Sequence, residues 1–267
     1  MPLGAALLIL LVVFGSVGAL LARHWLPILV SVQGAAIDQQ LHSSLAIMGA
    51  AFVLTQVALA IFLWRFHEKR KARARAPSSN PLFEVLAIIV TASAFLWLGA
   101  TGGMFASDIP QASPSALQVE VTGMQFQWYF RYAGADKTFG NTKPELIDAS
   151  IGNPLGLDRS DPAARDDKVE SQLVLPAGRE VDLVLHAQDV VHSFFIPAMR
   201  AQMNAVPGMT THLRFTPDRA GSYEAVCSQL CGLGHYRMKA VVRVLPAAEY
   251  DQWQKEIFGG AEHAASE

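Results

Sequence analysis

Cys227-Ser228-Gln229-Leu230-Cys231-Gly232-Leu233-Gly234-His235-Tyr236-Arg237-Met238 contains both cysteines of this 267-residue chain, four positions apart, with a histidine and a methionine just beyond them. A second histidine, His192, lies upstream. Thiolate, imidazole and a weak thioether are the ligand mix that selects copper over hard cations, and two thiolates supply enough bridging sulfur for a pair of metal ions. That chemistry points to the movement of electrons. Three plainer explanations compete with it. Two cysteines outside the cytoplasm can form a disulfide, although a bridge over so short a loop constrains little and leaves His192, His235 and Met238 unexplained. Two cysteines with two histidines can hold structural zinc, but zinc ligands pair in two tight clusters, whereas one histidine here is remote. Met238 alone reads as a packing residue of a strand and gains meaning only by closing the cluster.

Outward from the cluster, the residues from 117 onward form short runs rich in β-branched and aromatic side chains, separated by Pro, Gly and Asp. The runs fall at 117–121, 127–132, 172–175, 180–186, 210–215, 221–225 and 239–245. Short strands at this spacing predict an antiparallel sandwich or barrel. Cys227, Cys231, His235 and Met238 then share one loop between the last two strands, and His192 reaches them from a separate loop. Gly232 and Gly234 give the loop freedom to wrap a metal. Residues 132–171, rich in Asp, Pro, Gly and Asn, are expected to be an inserted surface loop too polar for the core. Residues 247–258 predict a closing helix with Tyr250, Trp253 and Ile257 on one face, followed by a frayed tail from His263 to Glu267.

The first hundred positions differ in kind. The chain is 51% hydrophobic and only 16% charged, with a mean hydropathy of +0.26, and the excess sits in three apolar stretches at about 3–22, 44–64 and 82–100. Each approaches the ~20 residues that span a bilayer as a helix. Between the second and third lies Arg65-Phe66-His67-Glu68-Lys69-Arg70-Lys71-Ala72-Arg73-Ala74-Arg75, which the positive-inside rule assigns to the cytoplasm. Everything past about Ala106 is then outside. The same run could be taken for a nucleic-acid-binding patch, but its place between two spans favours topology, and a net charge of -2 gives nucleic acid no support. The first stretch lacks the charged start and cleavage site of a secretory signal, so an uncleaved helix is expected, with a cleaved signal as the alternative. Residues 23–42 are expected to be an external connector, amphipathic around 25–37.

These readings divide the chain into an N-terminal hydrophobic segment 1–24, a transmembrane hairpin 25–106 with its basic loop at 65–75, an external domain 107–250 carrying the 132–171 insertion, and a C-terminal helix and tail 251–267.

From about Leu41 to Trp253 the sequence resembles subunit II of bacterial-type haem-copper cytochrome c oxidases. The resemblance rests on His192-Ser193-Phe194-Phe195-Ile196-Pro197, Asn204-Ala205-Val206-Pro207-Gly208, the run from Cys227 to Met238, and Gln127-Trp128-Tyr129-Phe130. Together these motifs are specific, and none is so alone. The resemblance implies a membrane-anchored α + β protein: two or three N-terminal transmembrane helices followed by an extracytoplasmic cupredoxin-like β-sandwich or barrel that carries a dinuclear copper centre, CuA. It implies that Cys227 and Cys231 bridge two coppers, that His192 and His235 each bind one, and that Met238 and the Gln229 carbonyl are the weak ligands. Trp128 would be where an electron arrives from cytochrome c, although a core aromatic on a strand is the alternative. Glu84, at the start of the third span, would mark a possible proton path, or face the headgroups. The chain would then accept electrons from cytochrome c and pass them to haem in subunit I, where oxygen is reduced to water with proton translocation. Implied partners are subunits I and III, cytochrome c and membrane lipid, in the bacterial inner membrane.

Two positions depart from the family pattern. Gln229 and Asn204 stand where many members have the carboxylates of a magnesium or manganese site, and a neutral amide is the weaker ligand for a hard cation. Rival readings are a CuA subunit of a related nitric oxide reductase, a quinol oxidase subunit whose domain is purely structural, and a membrane-anchored copper-binding or delivery protein. Quinol-oxidising members tend to lose the copper ligands, which are intact here. Asp189 and the acids within 161–170 are expected to help steer a basic cytochrome c.

Overall fold

The computed structural model describes residues 2–22, 26–66, 80–107 and 113–264. They fall into two compact units, one of Met1–Pro27 with Ala36–Asp108 and one of Ile28–Ala35 with Ile109–Glu267.

The first unit is helical. Helices α1 (Pro2–Ala22), α2 (Gly34–Phe66) and α3 (Pro81–Ser107) are each long and apolar enough to cross a membrane. Their leucine, isoleucine and phenylalanine side chains are mostly exposed, and exposed apolar surface on this scale requires a non-aqueous neighbour. Asn80 starts α3. Its carbonyl accepts from the Glu84 N–H at 3.1 Å and its side chain accepts from the Phe83 N–H at 3.4 Å, with Pro81 in the first turn where no N–H is needed. Helix α2 has 33 residues, about 50 Å at 1.5 Å per residue against a hydrocarbon core of about 30 Å. Its polar first turns, from Asp38 to Ser44, are therefore surplus to a single crossing. The connector expected at 23–42 is thus helix from Gly34 on. Residues 67–75 of the basic loop, and Trp25, lie outside the described residues.

The second unit is a two-layer β-sandwich. One sheet has the order β3 (Lys168–Glu170), β2 (Gln127–Tyr132), β1 (Leu117–Met124), β5 (Val181–Ala187), β8 (Thr211–Phe215). The other runs β4 (Leu173–Pro176), β10 (Lys239–Leu245), β9 (Gly221–Cys227), β6 (His192–Ile196), β7 (Ala201–Ala205). Alternation decides which side chains face inward: Val119 and Val121, Leu183 and Leu185, Val242 and Val244 are all buried between the sheets with Trp128, Phe130 and Phe194. Residues 28–33 belong to this unit. Val30 is buried, its N–H donates to the Ala198 carbonyl at 2.9 Å, and Ser31 Oγ donates to the Met199 carbonyl at 2.6 Å.

Four expectations are corrected. The sheets are mixed, because β1 pairs parallel to β5 and β4 parallel to β10. Local periodicity carries the facing of a strand but not the direction of its neighbour. Strands β3, β6 and β7 escape the pattern, β6 because it is buried on both faces and shows no alternation, β7 because Ala-Gln-Met-Asn-Ala carries no β-branched residue. The 132–171 insertion is not merely a surface loop. Leu155, Leu157, Ala164 and Asp167 are buried, and the segment returns as β3 against β2. Helix α4 (Ala247–Ala264) runs past the expected end at 258 and through the start of the tail. It does close the domain, Tyr132 meeting Trp253 edge-on at 5.1 Å.

Candidate metal centre

The neighbouring strands β6 and β9 build the centre. β6 opens on His192 and β9 ends on Cys227, and the two strands are antiparallel with Phe194 opposite Cys227. His192 therefore comes from a strand end and not from a loop, and the ladder brings residues 35 apart in sequence side by side. From β9 the chain passes to β10, with Lys239 opposite Val226 and the Cys227 N–H donating to the Met238 carbonyl at 3.0 Å. Cys227 and Met238 are thus the two feet of the loop. A short 3-10 turn at His235–Arg237 aims the second histidine back into it.

The donors converge. Cys227 Sγ lies 3.9 Å from Cys231 Sγ, 3.9 Å from His192 Nδ1 and 3.2 Å from the Gln229 carbonyl. Cys231 Sγ lies 3.7 Å from His235 Nδ1 and 3.8 Å from Met238 Sδ. Both cysteines are free thiols, and their separation excludes a disulfide, whose sulfurs sit at about 2.05 Å. A metal ion about 2.3 Å from each sulfur can bridge any pair closer than about 4.6 Å, so the spacing fits a shared ion. Each sulfur has its own imidazole and its own weak donor, more donors than a single closed tetrahedral zinc takes. Among the described residues, His192, Cys227 and Cys231 are the one group of three or more His, Cys, Asp or Glu side chains gathered within metal-binding range.

His192 is fully buried, and Cys227, Cys231 and Met238 nearly so, while Leu230, Leu233 and Tyr236 of the same loop project into solvent. Burial, reinforced by the neighbouring Cys227 sulfur, pushes the Cys231 thiol up to about 11. Loading a cation must therefore displace protons from a site that resists bare thiolates. Asp189 accepts from His192 Nε2 at 2.8 Å. Burial alone would raise the Asp189 carboxyl, but that hydrogen bond, with those from the Gln125 and Val190 N–H groups, holds it below the usual carboxylate range.

Other predicted site residues sit elsewhere. Trp128 is 1% exposed, packed edge-on against His192 at 5.8 Å and Phe194 at 4.9 Å between ring centres. Its indole does not reach the surface. Phe126, 38% exposed, does reach it, as Tyr236 does, and the Cys loop is built to receive Phe126: a Cβ on Gly234 would run into its ring. The need for glycine at 234 is thus space, whereas Gly232 has a φ of +134° that side chains rarely adopt. Gln229 and Asn204 are exposed. Glu84 is exposed in the first turn of α3. Of the acids expected to steer, Asp167 is buried against Arg131, while Asp189 is exposed and accepts from His192.

Three apolar helices and a β-sandwich with a gathered cluster of thiols, imidazoles and a thioether define a membrane-anchored protein with a candidate soft-metal site in its head. Residues 117–245 match the family model described as cytochrome C oxidase subunit II, periplasmic domain. The chain is 32% identical over 262 residues to the alternative cytochrome c oxidase subunit 2 of Bradyrhizobium diazoefficiens, covering 97% of this chain and 94% of that protein. It is 28% identical over 238 residues to cytochrome c oxidase subunit 2 of Cereibacter sphaeroides, covering 83% and 76% respectively. A solved structure of the periplasmic domain of subunit II of cytochrome oxidase from Bradyrhizobium japonicum aligns with 23% identity and a TM-score of 0.39, over 56% of this chain and 96% of that one. The chain belongs to the cytochrome c oxidase subunit II family.

Proposed function

We propose that this chain is the electron-accepting subunit of a respiratory haem-copper oxidase, holding a dinuclear copper centre in its external domain. The observation that carries the reading is the pairing at the loop: two thiols 3.9 Å apart, each with its own imidazole and its own weak donor. Cys227, Cys231, His192, His235, Met238 and the Gln229 carbonyl would hold the copper. Bound copper supplies a site that changes oxidation state by one electron with little change of geometry. The protein's part is to hold the ligands so that geometry barely moves: the β6–β9–β10 ladder sets both ends of the loop, and burial keeps water from the sulfurs.

Electrons would come from cytochrome c across the exposed loop, with Phe126 as a surface aromatic and the buried Trp128 against His192. They would leave for haem in subunit I, where oxygen is reduced to water with proton translocation; subunit III and membrane lipid complete the expected surroundings. Glu84 is the proposed mouth of a proton path. The helices would cross the bacterial inner membrane more than once, with the 65–75 loop on the cytoplasmic side and the domain 107–250 outside. A magnesium or manganese site would have to be built on the neutral amides of Gln229 and Asn204, which disfavours it.

The test is spectroscopic. The full chain, purified in detergent and loaded with copper, should bind two ions and give the purple mixed-valence absorption of one unpaired electron shared between them. A blue single-copper spectrum, or a colourless form that prefers zinc, would overturn the reading.

A further inference from the structure

His192 and the cysteine loop enter the centre from different strands, and two polar side chains outside the ligand set tie them together. Asp189 Oδ1 accepts from His192 Nε2 at 2.8 Å and from the Val190 N–H at 2.7 Å, and its Oδ2 accepts from the Gln125 N–H at 2.7 Å. Gln125 then turns its side-chain amide onto the loop, where Nε2 donates to the Cys231 carbonyl. The fit there is close: a Cβ on Gly232 would lie 2.8 Å from Gln125 Nε2. Segments 64 and 106 positions apart in sequence thereby share one chain of hydrogen bonds.

That chain has chemical content. An ionised carboxylate only accepts, so the ring proton of His192 must sit on Nε2, which leaves the lone pair on Nδ1. Nδ1 is the atom that faces Cys227 Sγ, 3.9 Å away. Partners of this kind orient a ligating imidazole and raise its basicity. Gln125 does the corresponding work on the other half, fixing the backbone beside Cys231 and so the direction of its sulfur.

We propose that Asp189 and Gln125 form a positioning clamp for the metal centre. Asp189 presents Nδ1 of His192 as the ligating atom, and Gln125 holds the Cys231 end of the loop in register with it. The clamp rests on the copper reading above.

The test compares the full chain in detergent with its Asp189→Ala, Asp189→Asn, Gln125→Ala and Asp189→Ala/Gln125→Ala variants, each titrated with copper. Asp189→Ala should weaken copper binding roughly 10–100-fold, alter the copper hyperfine pattern and shift the reduction potential, while the unfolding midpoint of the metal-free chain stays near wild type. Asparagine keeps one oxygen for His192 but turns an amide NH2 toward the Gln125 N–H, so Asp189→Asn should fall between wild type and Asp189→Ala. The double variant should lose less than the product of the single losses, because both break one connected path. Wild-type affinity, spectrum and potential in Asp189→Ala and Gln125→Ala would overturn the clamp. So would losses matched by an equal fall in metal-free stability, which would make the pair merely structural. A wild-type chain that takes up no copper overturns the copper reading and the clamp together, whereas normal uptake by the wild type with unaffected variants removes the clamp alone.

Discussion

Cys227 ends β9 and Met238 stands just before β10, both proposed ligands joined by a backbone hydrogen bond of 3.0 Å, so substitutions there separate metal binding from folding. Cys227→Ser keeps the size and removes the soft donor; the two-copper species should disappear, read as copper bound per chain and loss of the purple absorption. Met238→Leu conserves volume in a buried site and should cost under about 1.5 kcal/mol of stability. It should leave metal bound with a shifted reduction potential, measured by electrochemical titration. Gly234→Val forces side-chain atoms into the Phe126 ring, and a slower electron transfer from cytochrome c at unchanged copper content is the expected outcome in stopped-flow kinetics. The linear motif made Cys227, Cys231, His235 and Met238 readable as donors because one hairpin carries them. Phe126 and Gln125 gave no such signal: their importance comes from lying over a loop about a hundred positions away in the chain.

At the scale of elements, the 132–171 insertion shows how polar composition misleads. Arg131 of β2 is buried and reaches Asp167, Glu120 at 2.9 Å and the Gly140 carbonyl, so the insertion is anchored by charge where it lacks apolar side chains. Arg131→Ala would strand the carboxylate of Asp167 in the interior. A loss of about 3–5 kcal/mol is expected from chemical denaturation, with much of it recovered when Asp167 is also made apolar. Farther out, Lys143 and then Ser160 hold the Asp158 carboxyl down at about 2, through an ion pair of 2.7 Å and a hydroxyl contact of 2.6 Å. A depressed carboxyl stabilises the fold fully above its ordinary value near 3.9 and loses that contribution as pH falls through its folded value. Amide protection at Ser160 should therefore hold at pH 5 and collapse on approach to pH 2, as followed by hydrogen exchange. The turn chemistry of Asp148, Asp158 and Asp161 is visible in sequence as Asx signals, but nothing local announces that the segment comes back as β3.

Across the whole molecule, the sandwich core of Trp128, Phe130, Phe194 and the inward aliphatic side chains is complete without any metal donor contributing more than a fraction of it. Removing copper with a chelator should then leave the far-UV circular dichroism unchanged and lower the unfolding midpoint, by the equivalent of about 4 kcal/mol when the ion had been present at a thousand times its dissociation constant. By itself the sequence determined the helical anchor, the class of the head and the identity of the soft donors, because hydropathy runs, alternation and ligand chemistry are properties of neighbouring residues. Only the tertiary structure decided that His192 stands at a strand end beside Cys227, that β1 and β5 run parallel, that Trp128 is interior while Phe126 meets solvent, and that Asp189 and Gln125 bind the two halves of the centre. Those facts depend on which distant strands share a ladder and which backbones approach closely, and long-range pairing of that kind leaves no periodic trace in the chain.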